Sequence, residues 1–338
     1  MMTDIAPDGI DLHFGDIAAP DWDAVDADRP LPVQQHWAYG LAATAMGGRV
    51  RQVTVTAHGR AVAIGLMGTR RIARLIQLSS LLRGPVWLPA ARAGPGRRIA
   101  IFKALAQAHP KHRWCFLAVQ PDWPAGGGAD WDGDVDTGAR GDAVLRRAGL
   151  RRVMSGFSTA WLDLRTDTDR LRAGLRQKWR NQLKKAEAAR IQIAVGGTRA
   201  RQYDWLITAE DAQQTARGYR ALPAGFARAY AGATTTAPGT ACGAGMLSVT
   251  AHLGGQKVAG ALFLCHGTSA TYHIGWTGAP GRAVSAQNRV LWEGCLALKD
   301  RGIRFLDLGG LDTGALAGIS RFKLGLGAAP VTLTGSWM

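Results

Sequence analysis

No run of apolar residues in this chain approaches the roughly 20 that a membrane-crossing helix needs, so a helical transmembrane segment is not expected. Cysteine is scarce. The four present, Cys115, Cys242, Cys265 and Cys295, lie far apart, and three sit in apolar runs. That spacing excludes a disulfide framework or a cysteine metal cluster and leaves reduced core residues. The head of the chain is acidic, not basic and then apolar, so a secretory leader is not expected and a cytoplasmic location is. Negative charge is scarce beyond that head. Residues 1–30 hold eight Asp and one Arg, which leaves 40 basic against 17 acidic side chains in the rest of a chain of net charge +16. Such a surplus attracts polyanions: nucleic acid, a nucleotide cofactor or an acidic membrane surface. An arginine-rich surface from biased composition is the plainer alternative.

The 338 residues allow two domains with real cores, and 47% hydrophobic content excludes a disordered chain. Ile10–Phe14 alternates like an edge strand, and Pro32–Tyr39 opens a helix ending near Gly47 and Gly48. Three strands are predicted at Gln52–Ala57, Ala61–Leu66 and Ala73–Leu78, with turns at Gly59 and Gly68. An amphipathic helix at Arg97–Ala108, an apolar strand at Trp114–Val119 and a long loop at Pro121–Gly138 follow.

The second half repeats this order. Leu247-Ser-Val-Thr-Ala-His252 echoes Val53-Thr-Val-Thr-Ala-His58, and a glycine turn follows each. Strands at Val258–Leu264 and Ala270–Trp276, a helix at Gln287–Lys299 and a strand at Phe305 complete the match, about 190 residues on. The period is that of a duplicated domain, not of a solenoid. Three antiparallel strands, a helix and a next strand make an α+β arrangement. Such a sheet can splay at its last strand.

Between the halves, Phe157–Leu164 alternates as a strand, and Asp167 or Asp169 caps a helix whose Leu171, Leu175, Trp179, Leu183 and Ala186 form one stripe. Its other face is basic. From Arg165 to Arg201 there are eleven Lys or Arg and three acids. A solvated helix face and a polyanion-binding ridge both fit.

Near the end, Gly302-Ile-Arg-Phe-Leu-Asp-Leu-Gly-Gly310 reads as a buried strand and a glycine turn, with Asp307 a charge that needs a partner. Lys323 follows Phe322 and precedes Gly325 and Gly327. It is well placed to face negative charge.

These pieces together resemble the Fem family of aminoacyl-tRNA-dependent peptidyl transferases. The matching stretches are Gln35-His-Trp-Ala38, Arg83-Gly-Pro-Val-Trp87, Lys178-Trp-Arg-Asn-Gln-Leu-Lys-Lys185, Phe305-Leu-Asp-Leu-Gly-Gly310 and Arg321-Phe-Lys323. The resemblance runs from about residue 33 to the end. It implies two tandem acetyltransferase-like (GNAT-like) domains, each a mixed, mostly antiparallel sheet flanked by helices. Residues 1–155 would form the acceptor-side domain and 156–327 the donor-side domain with the active site. Residues 328–338 would be a strand returning to the first domain.

The resemblance further implies that Phe322 and Lys323 are catalytic, the lysine stabilising the tetrahedral intermediate as an amine attacks an ester carbonyl. Aminoacyl-tRNA is already an activated ester, so neither a Ser or Cys nucleophile nor a cofactor is required. Asp307, Gly309, Gly310, Arg220, His273 and Trp37 would bind substrate. Lys178, Arg180, Lys184, Lys185 and Arg321 would bind tRNA. No metal is expected, since His109 and His112 lack a third ligand.

The chain departs from family members that use a peptidoglycan precursor. Tyr39, Gly40 and Leu41 stand where those members carry a lysine, and Gln120-Pro121 where an acidic residue precedes proline. The acceptor implied is therefore an amine-bearing small molecule, a peptide or a cell-wall precursor. An acyl-CoA donor is the alternative, although the usual pyrophosphate loop (Arg or Gln, two residues, Gly, one residue, Gly or Ala) has no match. A non-catalytic RNA or anion binder is the third reading. Gln287 and Asn288 begin a helix whose free N–H groups are placed to face the ligand. Plainer roles stand beside the specific ones: a surface lysine for Lys323, a buried Arg pairing with Asp307, packing for His273, and ordinary capping by Ser285 before Gln287 and Asn288.

Overall fold

The computed structural model describes residues 9–89, 94–125, 137–197, 199–217, 222–236, 244–312 and 317–338. The chain divides into two compact units, one of Met1–Phe157 with Val331–Met338, the other of Ser158–Pro238 with Gly243–Pro330.

The first unit contains β1 (Ile10–Gly15), α1 (Trp37–Ala45), β2 (Arg49–Ala57), β3 (Arg60–Ile72), β4 (Ile76–Leu82), β5 (Val86–Trp87), α2 (Pro95–Gln107), β6 (Cys115–Gln120), α3 (Thr137–Arg147) and β7 (Arg152–Met154). The second contains β8 (Ser158–Asp163), α4 (Thr168–Gly174), α5 (Gln177–Ala188), β9 (Ile191–Gly196), α6 (Asp204–Arg217), α7 (Ala224–Thr236), β10 (Ala244–Leu253), β11 (Gln256–His266), β12 (Ser269–Thr277), α8 (Ala279–Ala283), α9 (Ala286–Asp300), β13 (Phe305–Asp307) and α10 (Ala317–Gly325). Strands β14 (Ala329–Thr332) and β15 (Ser336–Trp337) end the chain.

The two sheets share one plan. The first runs β1-β2-β3-β4-β6-β15-β7, with β5 beside β3, and the second runs β9-β10-β11-β12-β13-β8-β14. In each, three antiparallel strands lead through a helical crossover to a parallel neighbour, β4 to β6 and β12 to β13. Even the irregularities correspond. Val62 and Val258 are each the extra residue of a β-bulge near the start of the second repeat strand. The repeated order read from the sequence is thus a repeated topology. Each sheet buries an apolar face against its own helices, with Val53, Val55, Ile101 and Leu105 in one core and Leu183, Val249, Phe263 and Leu291 in the other.

Three details differ from the sequence reading. The predicted turn at Gly68 is strand: β3 runs on to Ile72 and turns at Ala73 and Arg74, both at positive φ, so the third strand is Ile76–Leu82. The basic helix is two helices. Gly174 ends α4, Leu175 and Arg176 are extended, and Arg180 donates to the carbonyls of Ala173 and Leu175 across the break. The five stripe residues are nevertheless all buried. Ser285 does not cap α9 through its side chain; its backbone lies in the left-handed region.

Gln35 shows what one matching motif does. Its buried amide donates to the carbonyls of Leu66 and Leu82 and accepts from the amide of Leu66, tying β3 to the chain leaving β4. Its role in the first unit is structural.

Candidate active site

The two parallel pairs differ in length. In the first sheet, β4 and β6 stay in register over six residue pairs, Gln77–Leu82 against Cys115–Gln120. In the second, β12 and β13 pair over three, ending at Thr271 opposite Asp307. Strand β12 runs on to Thr277, while the chain after Asp307 follows β8, with Leu308 and Leu311 donating to the carbonyls of Ala160 and Ser158. The sheet therefore parts at Asp307.

Asp307 is only 1% exposed. Its Oδ1 accepts from the Thr159 hydroxyl at 2.5 Å and from the Gly309 amide at 2.8 Å. The carboxylate thus ties down the turn that follows it. Gly309 holds φ +73, which favours glycine. Lys323 completes the group: its Nζ donates to the Gly310 carbonyl at 2.8 Å. Burial pulls the Lys323 ammonium below the ordinary lysine range, while the Asp307 carboxylate pushes it back up.

Helix α10 is held in place from behind. The Phe322 ring lies 6.0 Å from that of Trp179. A Cβ on Gly325 would come within 2.6 Å of the Trp179 indole, so only glycine lets the helix end approach. The Arg176 amide donates to the Gly325 carbonyl at 2.9 Å. Trp179 is therefore a core residue that positions the segment carrying Lys323.

On the β12 side, the Tyr272 hydroxyl accepts from Gln287 at 3.1 Å, and burial pushes the phenol up to about 12. Gly275 leaves room for it, since a Cβ there would lie 1.7 Å from the hydroxyl oxygen. Next to this, a cavity of about 220 Å³ is lined by Gln182, Thr277, Arg282, Gln287, Asn288 and Phe322. Asn288 is 4% exposed, and its side-chain NH2 has no partner among the described residues. With α9 lacking a side-chain cap, this lining is rich in donors and suits an anion.

The structure thus brings Phe322, Lys323, Asp307, Gly309 and Gly310 together. His273 is the extra residue of a bulge between β11 and β12, half-buried, with its ring 6.3 Å from Phe226. Burial pushes it down to about 4, so it is neutral at physiological pH. Its unfolded value is near 6.5, so stability falls as pH drops from that value towards 4. His273→Gln is expected to recover up to ~3 kcal/mol of stability at pH 4 relative to pH 7, read from denaturant unfolding at the two pH values. Equal acid sensitivity in both proteins would contradict this.

Trp37, expected to bind substrate, is fully buried in the first unit and packs on His36, so its role is structural. Lys178, Lys184, Lys185 and Arg321 are exposed. Arg180 is partly committed to the α4–α5 junction. Arg220 lies outside the described residues.

Sequence reading missed three groups. Thr159 is one inward polar residue on an apolar strand, a signal too slight to single out. Asn288 was visible for its helix-start N–H group, not for its buried side-chain amide. The third is Asp122 in the first unit. It directly follows Pro121 and accepts from Arg83 Nε at 2.7 Å, with the arginine side chain only 3% exposed.

Residues 170–324 match the family described as the Acetyltransferase (GNAT) domain. No curated protein matches the chain by sequence. Among solved structures, the chain is similar to FemX, at 13% identity and TM-score 0.74, with 96% of each chain covered. It is also similar to a tandem GNAT protein from the clavulanic acid biosynthesis pathway, at 16% identity and TM-score 0.53, with 96% of this chain and 97% of that one covered. A third is the C-terminal domain of a putative lysylphosphatidylglycerol synthetase from Agrobacterium fabrum, at 13% identity and TM-score 0.51, covering 81% and 80%. Two tandem acetyltransferase-like domains, each a mixed sheet flanked by helices, are the fold of this protein.

Proposed function

We propose that the chain is an acyltransferase that moves an aminoacyl group from aminoacyl-tRNA to an amine, forming an amide or peptide bond. The observation that carries this reading is the ammonium of Lys323, set on the Gly309–Gly310 turn where β12 and β13 part. The acceptor amine attacks the ester carbonyl carbon. The carbonyl oxygen becomes an oxyanion, which the Lys323 cation stabilises. As the intermediate collapses, the bond to the ribose oxygen breaks, and the proton lost by the amine ends on that oxygen. Asp307 acts through the turn it holds, as a positioning residue. The donor-lined cavity at the start of α9 suits a phosphate of the donor, and the second unit supplies the donor side.

The acceptor reading is an amine-bearing small molecule, peptide or cell-wall precursor held on the first unit. The same cavity suits the diphosphate of an acyl-CoA, which makes N-acylation from CoA the second reading.

Lys178, Lys184 and Lys185 distinguish the donors. All three are exposed on α5. Charge reversal at Lys184 and Lys185 is expected to weaken tRNA binding and flatten its dependence on log salt by about one unit per lysine. An unchanged slope would make α5 a solvated face and favour the smaller donor.

A further inference from the structure

We infer that one end of the first unit's sheet docks on an anionic lipid surface. Residues 30–121 contain thirteen Lys or Arg and no Asp or Glu. The fold gathers several of these cations at one sheet end and sets apolar side chains among them.

That end is built from the β3–β4 turn and the start of β6. Ala73 and Arg74 turn the hairpin at positive φ, and the Leu75 amide donates to the Ile72 carbonyl at 3.2 Å. Leu75 is 78% exposed and Ile72 44%. Because β4 and β6 run parallel, the chain entering β6 arrives at the same end. Gln77 lies opposite Cys115, and its amide donates to the Trp114 carbonyl at 2.9 Å. Trp114 is 60% exposed, in the left-handed region. Arg70, Arg71, Arg74, Lys111 and Arg113 are exposed around these three apolar groups. None of the five has an acidic partner among the described residues.

Tight turns ordinarily carry small or polar residues. An exposed Leu and Ile beside a Trp are costly in water unless something covers them. Aliphatic tips with an amphipathic indole and a ring of arginines match a bilayer interface. The apolar groups enter the acyl boundary, the indole sits at headgroup level, and the cations meet lipid phosphates. Single-stranded RNA asks for something else, aromatic faces on which bases stack, and Leu75 and Ile72 have none. The tip is hydrogen-bonded to its neighbours, so little ordering is required on docking.

The test is flotation of the full chain with vesicles of phosphatidylglycerol mixed into phosphatidylcholine, or of phosphatidylcholine alone, at low and high salt. The protein is expected to float with the anionic vesicles at low salt and not with the neutral ones. Leu75→Asp combined with Trp114→Ala is expected to reduce partitioning about tenfold. Arg70→Glu with Arg71→Glu and Arg74→Glu is expected to reduce it about 100-fold. Thermal melting should be unchanged, since every substituted side chain is exposed, and charge reversal at Lys184 and Lys185 should leave flotation intact. Failure to float with anionic vesicles, or flotation that the tip variants do not alter, would overturn the inference. Tip variants that lose polyuridylate binding but keep flotation would overturn it too, assigning the patch to RNA. Neither the acyl donor nor Lys323 enters this measurement, so its outcome is independent of the transfer reaction.

Discussion

Lys323→Ala is expected to lower single-turnover transfer about 10²- to 10³-fold, with little change in melting temperature or donor affinity. The magnitude is that of removing one preorganised group from the place where negative charge develops. Three features set Lys323 apart from an ordinary surface lysine. Its ammonium is half-buried, it is bonded to the Gly310 carbonyl, and its helix is locked against Trp179 through Phe322 and Gly325. The fold loses little, because one hydrogen bond to a backbone carbonyl at a partly solvated site contributes about 1 kcal/mol or less. Lys323→Arg is not expected to rescue the rate, since a planar guanidinium places its charge differently from a compact ammonium. Turnover equal to the parent would remove Lys323 from the chemistry.

Asp307→Asn is expected to move the alkaline limb of the pH–rate profile to lower pH. The active form has Lys323 protonated, so activity is lost as pH rises through the lysine's pKa. Burial already lowers that pKa, and the Asp307 carboxylate opposes the fall. Neutralising Asp307 removes the opposition. Asn keeps an Oδ1 that can accept from Thr159 and Gly309, so the turn survives. Asp307→Ala is the contrasting variant. It strands the Thr159 hydroxyl and the Gly309 amide, and is expected to destabilise the second unit by about 1–3 kcal/mol. A loss of stability in both variants, with the pH limb unmoved, would make Asp307 a purely structural residue.

The repeat was legible in the sequence because each element carries its own periodicity. Strands β10 to β12 and helix α9 show it where apolar alternation and stripe length decide the type. Breaks were harder to read. Gly68 looks like a turn residue, but it lies opposite Ser80 within a continuous strand, and the actual turn uses Ala73 and Arg74 in a conformation no propensity foretells. The stripe through Leu171 and Trp179 survives a change of helix because burial depends on the face presented, not on an unbroken axis. Within the candidate site, Asp307, Gly309, Gly310 and Lys323 were visible as types in a pattern. The contacts that organise them come from Thr159, 148 residues from Asp307, and from Trp179 on another helix. Trp179 stands in the apolar stripe read from the sequence, and its buried side carries its role. Such pairings depend on strand order and helix packing, which one chain read along its length does not specify.

The central claim is the donor. Purified protein would be incubated with radiolabelled aminoacyl-tRNA and an extract of small metabolites and cell-wall precursors, with one portion of the charged tRNA treated with RNase beforehand. The account predicts a new base-stable labelled product that forms only with intact tRNA and is lost in Lys323→Ala. A product formed from labelled acyl-CoA, with none from any charged tRNA, would contradict it.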